Sequence, residues 1–186
     1  MAALLTFTGD SGTGKTTLMD ALLKDPLFQA VRSTTTRPRR LTDKPWEYEH
    51  IHEEDFLDLL YGGALLWHTR NFGNYYGTRR SAVDGVLGAE YHGILNIIPN
   101  CVPKLLSYTA EVVPFFMVTP PVEVMRARMQ ERGDSQEAIA RRLEDSGRWE
   151  EEARASGISY RFIENRGTIE QALEQVHRHL REYNSR

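Results

Sequence analysis

Short apolar runs alternate with amphipathic segments along most of the chain. Residues 3–8 form an apolar run that is ended by glycine, which is typical of a buried parallel strand. Residues 91–99, 111–121 and 158–165 have the same character, although Pro114 is unusual inside a strand. Because helical patterns separate these runs, we predict an α/β fold with a parallel sheet that helices cover on both faces.

The helical segments have recognisable ends. Residues 16–24 carry apolar side chains at helical spacing and stop before Pro26, and residues 53–63 form a second helix that ends in two glycines. We predict further helices over residues 121–132 and 136–155, the latter with Gly147 as an interior weak point. Thr168 and Gln171 predict a capping box for the last helix. Its apolar face comprises Ile169, Ala172, Leu173, Val176 and Leu180.

The alternation fails over residues 32–80. This stretch is rich in Arg, Tyr, Trp, His and Gly and has little clean periodicity, apart from an apolar run at 63–69 that suggests a strand. Such a composition is expected of a substrate-binding insertion rather than of a core.

Length and charge narrow the class of protein. At 186 residues the chain is most simply one domain, residues 1–186, and its net charge of −3 gives no electrostatic reason to expect nucleic acid or an anionic membrane as a partner. The N-terminal "MAALLTFTG" lacks a basic segment and a cleavage site, so we expect a strand there rather than a signal peptide. The single cysteine, Cys101, suits the reducing cytoplasm. The oligomeric state stays open.

The clearest chemical signal is "GDSGTGKT" at residues 9–16. Gly9, Gly14, Lys15 and Thr16 fit the spacing of a phosphate-binding loop, with an apolar strand before it and a helix after it. Glycines let successive backbone N–H groups point inward onto an anion, and the helix N-terminus favours negative charge. Lys15 would contact the β- and γ-phosphates, and the Thr16 hydroxyl is a ligand for Mg²⁺. We therefore predict a nucleoside triphosphate site, with ATP as the ligand.

Two arginine-rich segments could hold other phosphates. "STTTRPRR" offers Arg37, Arg39 and Arg40, and arginine binds phosphate bidentately. "RARMQERGDSQEAIARRL" carries more arginines across a glycine-broken helix pair, which would suit a mobile lid. A solvated helix face with ion pairs is the alternative interpretation of that second segment.

In this order the features resemble the guanylate kinase family over nearly the whole chain. "TGDSGTGKTTL" resembles its phosphate loop, and "VRSTTTRPRR" with "EYEHI" and "EEDFLDLL" resembles its acceptor-binding segment. "LLWHTRNFGNYYGT", "MRARMQERGDSQEAIARRL" and "RFIEN" are similar to its Gly-Asn-x-Tyr-Gly stretch, its lid and its adenine-side strand. The resemblance implies a P-loop three-layer α/β/α domain with an acceptor-binding insertion at about residues 32–88 and a helical lid at about 125–150. It also implies ATP-dependent transfer of a phosphoryl group to a small phosphorylated acceptor.

The resemblance assigns site residues by position. The expected ATP-binding residues are Gly9, Asp10, Ser11, Gly12, Thr13, Gly14, Lys15, Thr16, Thr17 and Asn165, with Thr16 also holding Mg²⁺. The expected catalytic residues, which would stabilise charge on the transferred group, are Lys15, Arg128, Arg132 and Arg142. The expected acceptor-binding residues are Ser33, Arg37, Arg39, Tyr48, Trp67, Tyr76, Thr78 and Asn96.

The acceptor itself stays open. Where the family's guanine pocket has a glutamate this chain has Trp67, and where the family has Asp-x-Asp it has Asn96 and Ile98. Guanine presents hydrogen-bond donors that tryptophan cannot accept, and each unpaired buried donor costs about 1–3 kcal/mol. These replacements argue against guanine specificity, and GMP is the expected acceptor only by family default. Ribose 1,5-bisphosphate is the alternative, since "WH" and "YYG" together with Asn96 resemble ribose 1,5-bisphosphate phosphokinases. A catalytically silent binding module is a third possibility, which the intact phosphate loop opposes.

Overall fold

The computed structural model describes residues 2–71, 73–144 and 146–185. The strands are β1 (Leu4–Thr8), β2 (Phe28–Ala30), β3 (Ser33–Thr35), β4 (Tyr48–His50), β5 (Leu65–Asn71), β6 (Asn74–Arg79), β7 (His92–Asn96), β8 (Val112–Met117) and β9 (Arg161–Ile163). The helices are α1 (Lys15–Leu22), α2 (Glu53–Tyr61), α3 (Arg80–Gly88), α4 (Val102–Leu106), α5 (Val122–Glu131), α6 (Gln136–Glu144), α7 (Arg148–Ala155) and α8 (Ile169–Asn184). None of the helices in the described ranges is long and apolar enough to span a bilayer.

The chain forms two compact units, and β1 passes from one to the other after Thr6. The first unit comprises Met1–Thr6 and Pro26–Val112, and the second comprises Phe7–Asp25 and Val113–Arg186. In the first unit β2, β7 and β1 are neighbours in that order, and β2 pairs with β7 in parallel. In the second unit β1, β8 and β9 are neighbours in that order, and β8 pairs with β9 in parallel. The predicted α/β fold with a parallel sheet is thus confirmed.

A second sheet within the first unit was not predicted. Its strand order is β4-β3-β6-β5, with parallel pairing between β3 and β4 and antiparallel pairing elsewhere. Three-residue strands such as β3 and β4 are too short to show a period in the sequence. Ser33, Thr34 and Thr35 are moreover all buried, so the alternation of a half-exposed strand is absent.

The prediction of one helix over residues 136–155 is wrong. The structure has two helices there, α6 and α7, and Gly147 is the N-cap of α7 with a φ of 87°. This left-handed backbone cannot continue an α-helix, and glycine adopts it without the penalty that a Cβ imposes. The capping box at Thr168 is confirmed, with both reciprocal hydrogen bonds present at the start of α8.

Burial of the strands positions the phosphate loop. Every residue of β1 is buried, and in the second unit the rings of Phe7 and Phe115 stack with centroids 5.2 Å apart. The Thr8 hydroxyl donates to the Phe115 carbonyl at 3.0 Å. The loop that follows β1 therefore starts from a fixed, buried strand end.

Candidate active site

The phosphate loop runs from the end of β1 into the first turn of α1. Gly9, Gly12 and Gly14 have φ values of 133°, 83° and 93°, which are left-handed values that favour glycine. A Cβ on Gly9 would lie 2.8 Å from the Met117 carbonyl oxygen, and one on Gly14 would overlap the Asn165 amide. These glycines let the loop curl against its neighbours, as an anion nest requires.

The Lys15 ammonium group lies over this loop. Its Nζ donates to the Gly9 carbonyl at 2.6 Å and to the Asp10 carbonyl at 2.8 Å. The positive charge is therefore held where the backbone N–H groups of the loop would receive phosphate. Thr16 and Thr17 follow in the first turn of α1.

Asn165 and Arg128 close one side of the loop. The Asn165 Nδ2 donates to the Thr13 carbonyl at 2.9 Å, and the Asn165 side chain is largely buried. Arg128 on α5 donates from one guanidinium nitrogen to the Gly12 carbonyl at 3.0 Å and from the other to the Asn165 carbonyl at 3.1 Å. The structure thus brings these two predicted residues onto the predicted loop.

The other two predicted lid arginines share a carboxylate. Arg132 and Arg142 both form ion pairs with Asp134, with 2.7 Å between Arg142 Nη1 and Asp134 Oδ2. Asp134 was missed by the sequence analysis, because only the fold shows that one acid in the α5–α6 turn serves arginines from both sides.

The predicted acceptor residues belong to the first unit, and most of them lie on the second sheet. The hydroxyls of Ser33 and Thr78, on β3 and β6, are buried and 2.9 Å apart. Tyr48 and Tyr76 pack edge to face with centroids 6.1 Å apart. Trp67 lies opposite Thr78 in the β5–β6 register, directly after an irregularity in β5. The cross-strand pairing puts Ser33, Tyr48, Trp67, Tyr76 and Thr78 on one face of this sheet.

Arg37 is anchored before any acceptor binds. Its Nη2 lies 2.8 Å from Asp43 Oδ1 and its Nη1 donates to the Pro38 carbonyl at 3.0 Å, while its guanidinium lies over the Tyr48 ring at 5.4 Å. Burial alone would raise the pKa of Asp43, but the hydrogen bonds from Arg37 and the Arg40 amide outweigh it and the pKa is lowered. Asp43 therefore holds Arg37 in one orientation.

Tyr48 is a permanent hydrogen-bond donor at neutral pH. Burial, followed by the nearby Glu47 carboxylate, raises the pKa of Tyr48 well above its usual value.

Asn96 at the end of β7 donates from Nδ2 to Glu47 Oε1 at 3.3 Å. Sequence reasoning missed Asp43, which pairs with Arg37 within the β3–β4 loop, and Glu47, whose partner Asn96 lies at the end of β7. The only local signal was their position among the predicted phosphate-binding residues.

Two predicted acceptor-binding residues, Arg39 and Trp67, lack side-chain hydrogen bonds to the described residues. Arg39 is exposed and makes no polar contact with the residues that the structure describes. Trp67 is only 3% exposed, and its indole N–H has no hydrogen-bond partner among the described residues. A buried donor without a partner is unusual and costs free energy.

Comparison with known proteins identifies the family. The sequence profile described as "Guanylate kinase" matches residues 1–183. The guanylate kinase of Methylobacillus flagellatus is 34% identical over 176 residues, which cover 93% of this chain and 85% of that protein. The chain belongs to the guanylate kinase family. The guanylate kinase of Symbiobacterium thermophilum is also 34% identical, over 86% of this chain and 75% of that protein.

Structural comparison agrees for the fold. The crystal structure of guanylate kinase from Anaplasma phagocytophilum matches with a TM-score of 0.74 and 23% identity, over 98% of this chain and 86% of that chain. As a member of the guanylate kinase family, the chain is a kinase, an ATP-dependent phosphotransferase of the guanylate kinase type. The predictions of family and of enzyme class are confirmed.

Proposed function

We propose that the chain transfers the γ-phosphoryl group of Mg-ATP to the phosphate of a nucleoside monophosphate, with GMP as the first acceptor to test. The observation that carries this proposal is the phosphate loop with its three left-handed glycines and Lys15 Nζ held over it. The relatives' name, guanylate kinase, supports GMP as the acceptor.

On the donor side the chemistry is positioning and charge stabilisation. The loop amides and Lys15 would hold the β- and γ-phosphates, and Lys15 would exchange its two carbonyl contacts for phosphate oxygens. Arg132 and Arg142 share the Asp134 carboxylate, so a transferring phosphoryl group would compete with that carboxylate for them. No protein nucleophile is required.

The loop also fits a magnesium ion. The Thr16 hydroxyl lies in the first turn of α1, is half-buried and has no partner in the described part of the chain, so it is available as a ligand. Mg²⁺ commonly keeps waters and takes few protein ligands besides substrate phosphates. When bound, the ion would neutralise charge on the triphosphate, and Thr16 would be its ligand from this chain.

On the acceptor side, Arg37 and the two tyrosines would orient the acceptor phosphate. Asp43 fixes the guanidinium of Arg37, and the raised pKa of Tyr48 keeps its hydroxyl protonated as a donor. Tyr76 lies beside Tyr48 on the same face of the sheet. We propose that this group binds the acceptor phosphate and that Arg39, which is exposed, reaches it only when the acceptor is present.

Trp67 favours a second candidate acceptor, ribose 1,5-bisphosphate. Trp67 shares a sheet face with Ser33 and Thr78, where it offers a buried donor instead of a carboxylate. A guanine base there would leave its own donors unpaired, and sites built on such pairing discriminate by up to about 10⁴-fold. A sugar bisphosphate has no base to be recognised.

A coupled assay of ADP release tests both candidates. The protein is supplied with Mg-ATP and, separately, GMP, AMP, the pyrimidine monophosphates and ribose 1,5-bisphosphate. We expect acceptor-dependent ADP release that falls on the order of 10²–10³-fold in Lys15→Ala, which removes a charge that stabilises the transition state. Lys24→Ala, an exposed lysine after α1, is the control and should retain activity. Absence of acceptor-dependent ADP release across the panel would refute the proposal.

Trp67→Glu separates the two acceptors. If position 67 faces a base, the new carboxylate should raise the ratio of GMP to ribose 1,5-bisphosphate turnover about tenfold, the equivalent of one recovered buried hydrogen bond. Trp67→Leu, which removes the indole ring without offering a hydrogen-bond acceptor, is the matched control for lost packing. An unchanged ratio in the glutamate variant would show that residue 67 does not contact the acceptor.

A further inference from the structure

The Asp10 side chain lies inside the phosphate loop but is directed to other elements of the second unit. Its Oδ2 accepts a hydrogen bond from the Thr119 hydroxyl at 2.9 Å and a second from the Gly147 backbone N–H at 2.9 Å. Asp10 is only 6% exposed, so both bonds are shielded from water. A phosphate loop needs only the backbone of this residue, and its carboxylate is therefore free for another role.

The two donors flank the same segment of chain. Thr119 precedes α5 by three residues, and Gly147 follows α6 by three residues. The segment between them, which we call the lid segment (residues 120–146), carries Arg128, Arg132 and Arg142. One oxygen atom thus receives hydrogen bonds from both ends of the lid segment.

A further contact joins these ends to each other. The Thr119 backbone N–H donates to Glu150 Oε2 at 2.8 Å, in the first turn of α7. Glu150 is held by Arg154 at 2.6 Å, and the Arg154 guanidinium lies over the Phe162 ring at 4.0 Å. Hydrogen bonds therefore connect the two ends of the lid segment to each other and to Asp10 in the phosphate loop. The helices α5 and α6 pack on each other through a separate apolar cluster of Met125, Met129 and Ile139.

We propose that Asp10 is a positioning residue that fastens both ends of the lid segment to the phosphate loop. Through these two bonds the loop that holds the triphosphate sets the place of the arginines that stabilise the transferred group. The carboxylate works as a double hydrogen-bond acceptor, and it does not touch substrate. The kinetic consequence rests on the proposed phosphoryl transfer, while the hydrogen bonds can be tested without it.

Amide hydrogen exchange tests the contact directly. In Asp10→Ala the Gly147 N–H loses its acceptor, so we expect its exchange rate, measured by NMR, to rise about tenfold or more. Asp10→Asn keeps an oxygen that can accept both bonds and should retain most of the protection. Glu152→Gln, an exposed acid on α7, is the control for lost charge and should leave Gly147 unchanged. Equal exchange of Gly147 in wild type and Asp10→Ala would overturn the proposal.

Kinetics test the positioning role. Asp10→Ala should lower kcat on the order of tenfold or more through misplaced arginines, while the dissociation constant for ADP changes less than about threefold because the loop backbone is intact. Thr119→Val should lower kcat less, and combining it with Asp10→Ala should add no further loss because both act through one oxygen.

If Asp10→Asn is as impaired as Asp10→Ala, or if the two losses multiply, Asp10 does not act in this way. If Asp10→Ala does not fold, Thr119→Val gives the kinetic test, and an unchanged kcat in that variant would overturn the proposal. If the wild-type protein turns over no acceptor, the proposed phosphoryl transfer is refuted, but the exchange measurement still tests the contacts of Asp10.

Discussion

Replacing Asp43 with asparagine would remove the buried counter-charge of Arg37. The two side chains are 8% and 10% exposed, and the joining atoms are 2.8 Å apart. Removing one partner of a buried ion pair costs about 3–5 kcal/mol, because the remaining charge stays desolvated. Asparagine still offers one acceptor oxygen, so we expect the free energy of unfolding to fall by the lower end of this range, about 3 kcal/mol. For a chain of this length that corresponds to a fall in Tm of roughly 6–12 °C.

The cost of Asp43→Asn should depend on pH with a definite sign. The pKa of Asp43 is lowered in the folded state, so its contribution to stability is fully present above the unfolded value of about 3.9. As the pH falls through the lower, folded-state pKa, wild type also loses the charge. The difference in free energy of unfolding between wild type and Asp43→Asn should therefore be largest near neutral pH and shrink towards zero in acid.

Urea denaturation at neutral pH and at several acidic values measures this difference. Glu49→Gln is the matched control, since Glu49 pairs with Arg79 on the same sheet but both side chains are more than a third exposed, and such a pair contributes about 0–1 kcal/mol. A cost for Asp43→Asn below about 1 kcal/mol at neutral pH, or one that does not change in acid, would refute the reasoning.

Two further substitutions test the glycine geometry and the buried hydroxyl pair. Gly14→Ala should destabilise the chain by about 2–3 kcal/mol and weaken ADP binding, because it strains a backbone with φ of 93° and displaces the Asn165 amide from Thr13. Calorimetry and ADP titration would check this, and unchanged ADP affinity would contradict it. Ser33→Ala should cost about 1–3 kcal/mol by leaving the buried Thr78 hydroxyl unpaired, whereas adding Thr78→Val should recover most of that loss. A double variant less stable than Ser33→Ala, measured by chemical denaturation, would show that the pair is not the cause.

The accuracy of prediction varied with the range of the interactions. The phosphate loop could be predicted because the glycines, Lys15 and Thr16 act within a few residues of one another, and the Thr168 capping box is equally local. The short strands β3 and β4 could not be predicted, because three residues are too few to show a period and β3 is also buried on both faces. The break at Gly147 was visible only as a weak point, because a glycine adopts helical and left-handed backbone with similar ease.

The sequence by itself determined the parallel α/β character, the triphosphate loop and the two arginine-rich segments, since these depend on local spacing and backbone chemistry. Only the tertiary structure decided which groups are paired: Arg37 with Asp43, Asn96 with Glu47, and two lid arginines with Asp134. It also decided that Asp10 joins residues more than a hundred positions away, and that Trp67 is buried opposite Thr78 with an N–H that has no partner in the described part of the chain. The physical reason is that hydrogen bonds and ion pairs require atoms to approach within about 3 Å. Strand register and the order of the strands in the sheet decide which distant residues come that close, and neither can be inferred from a short stretch of sequence.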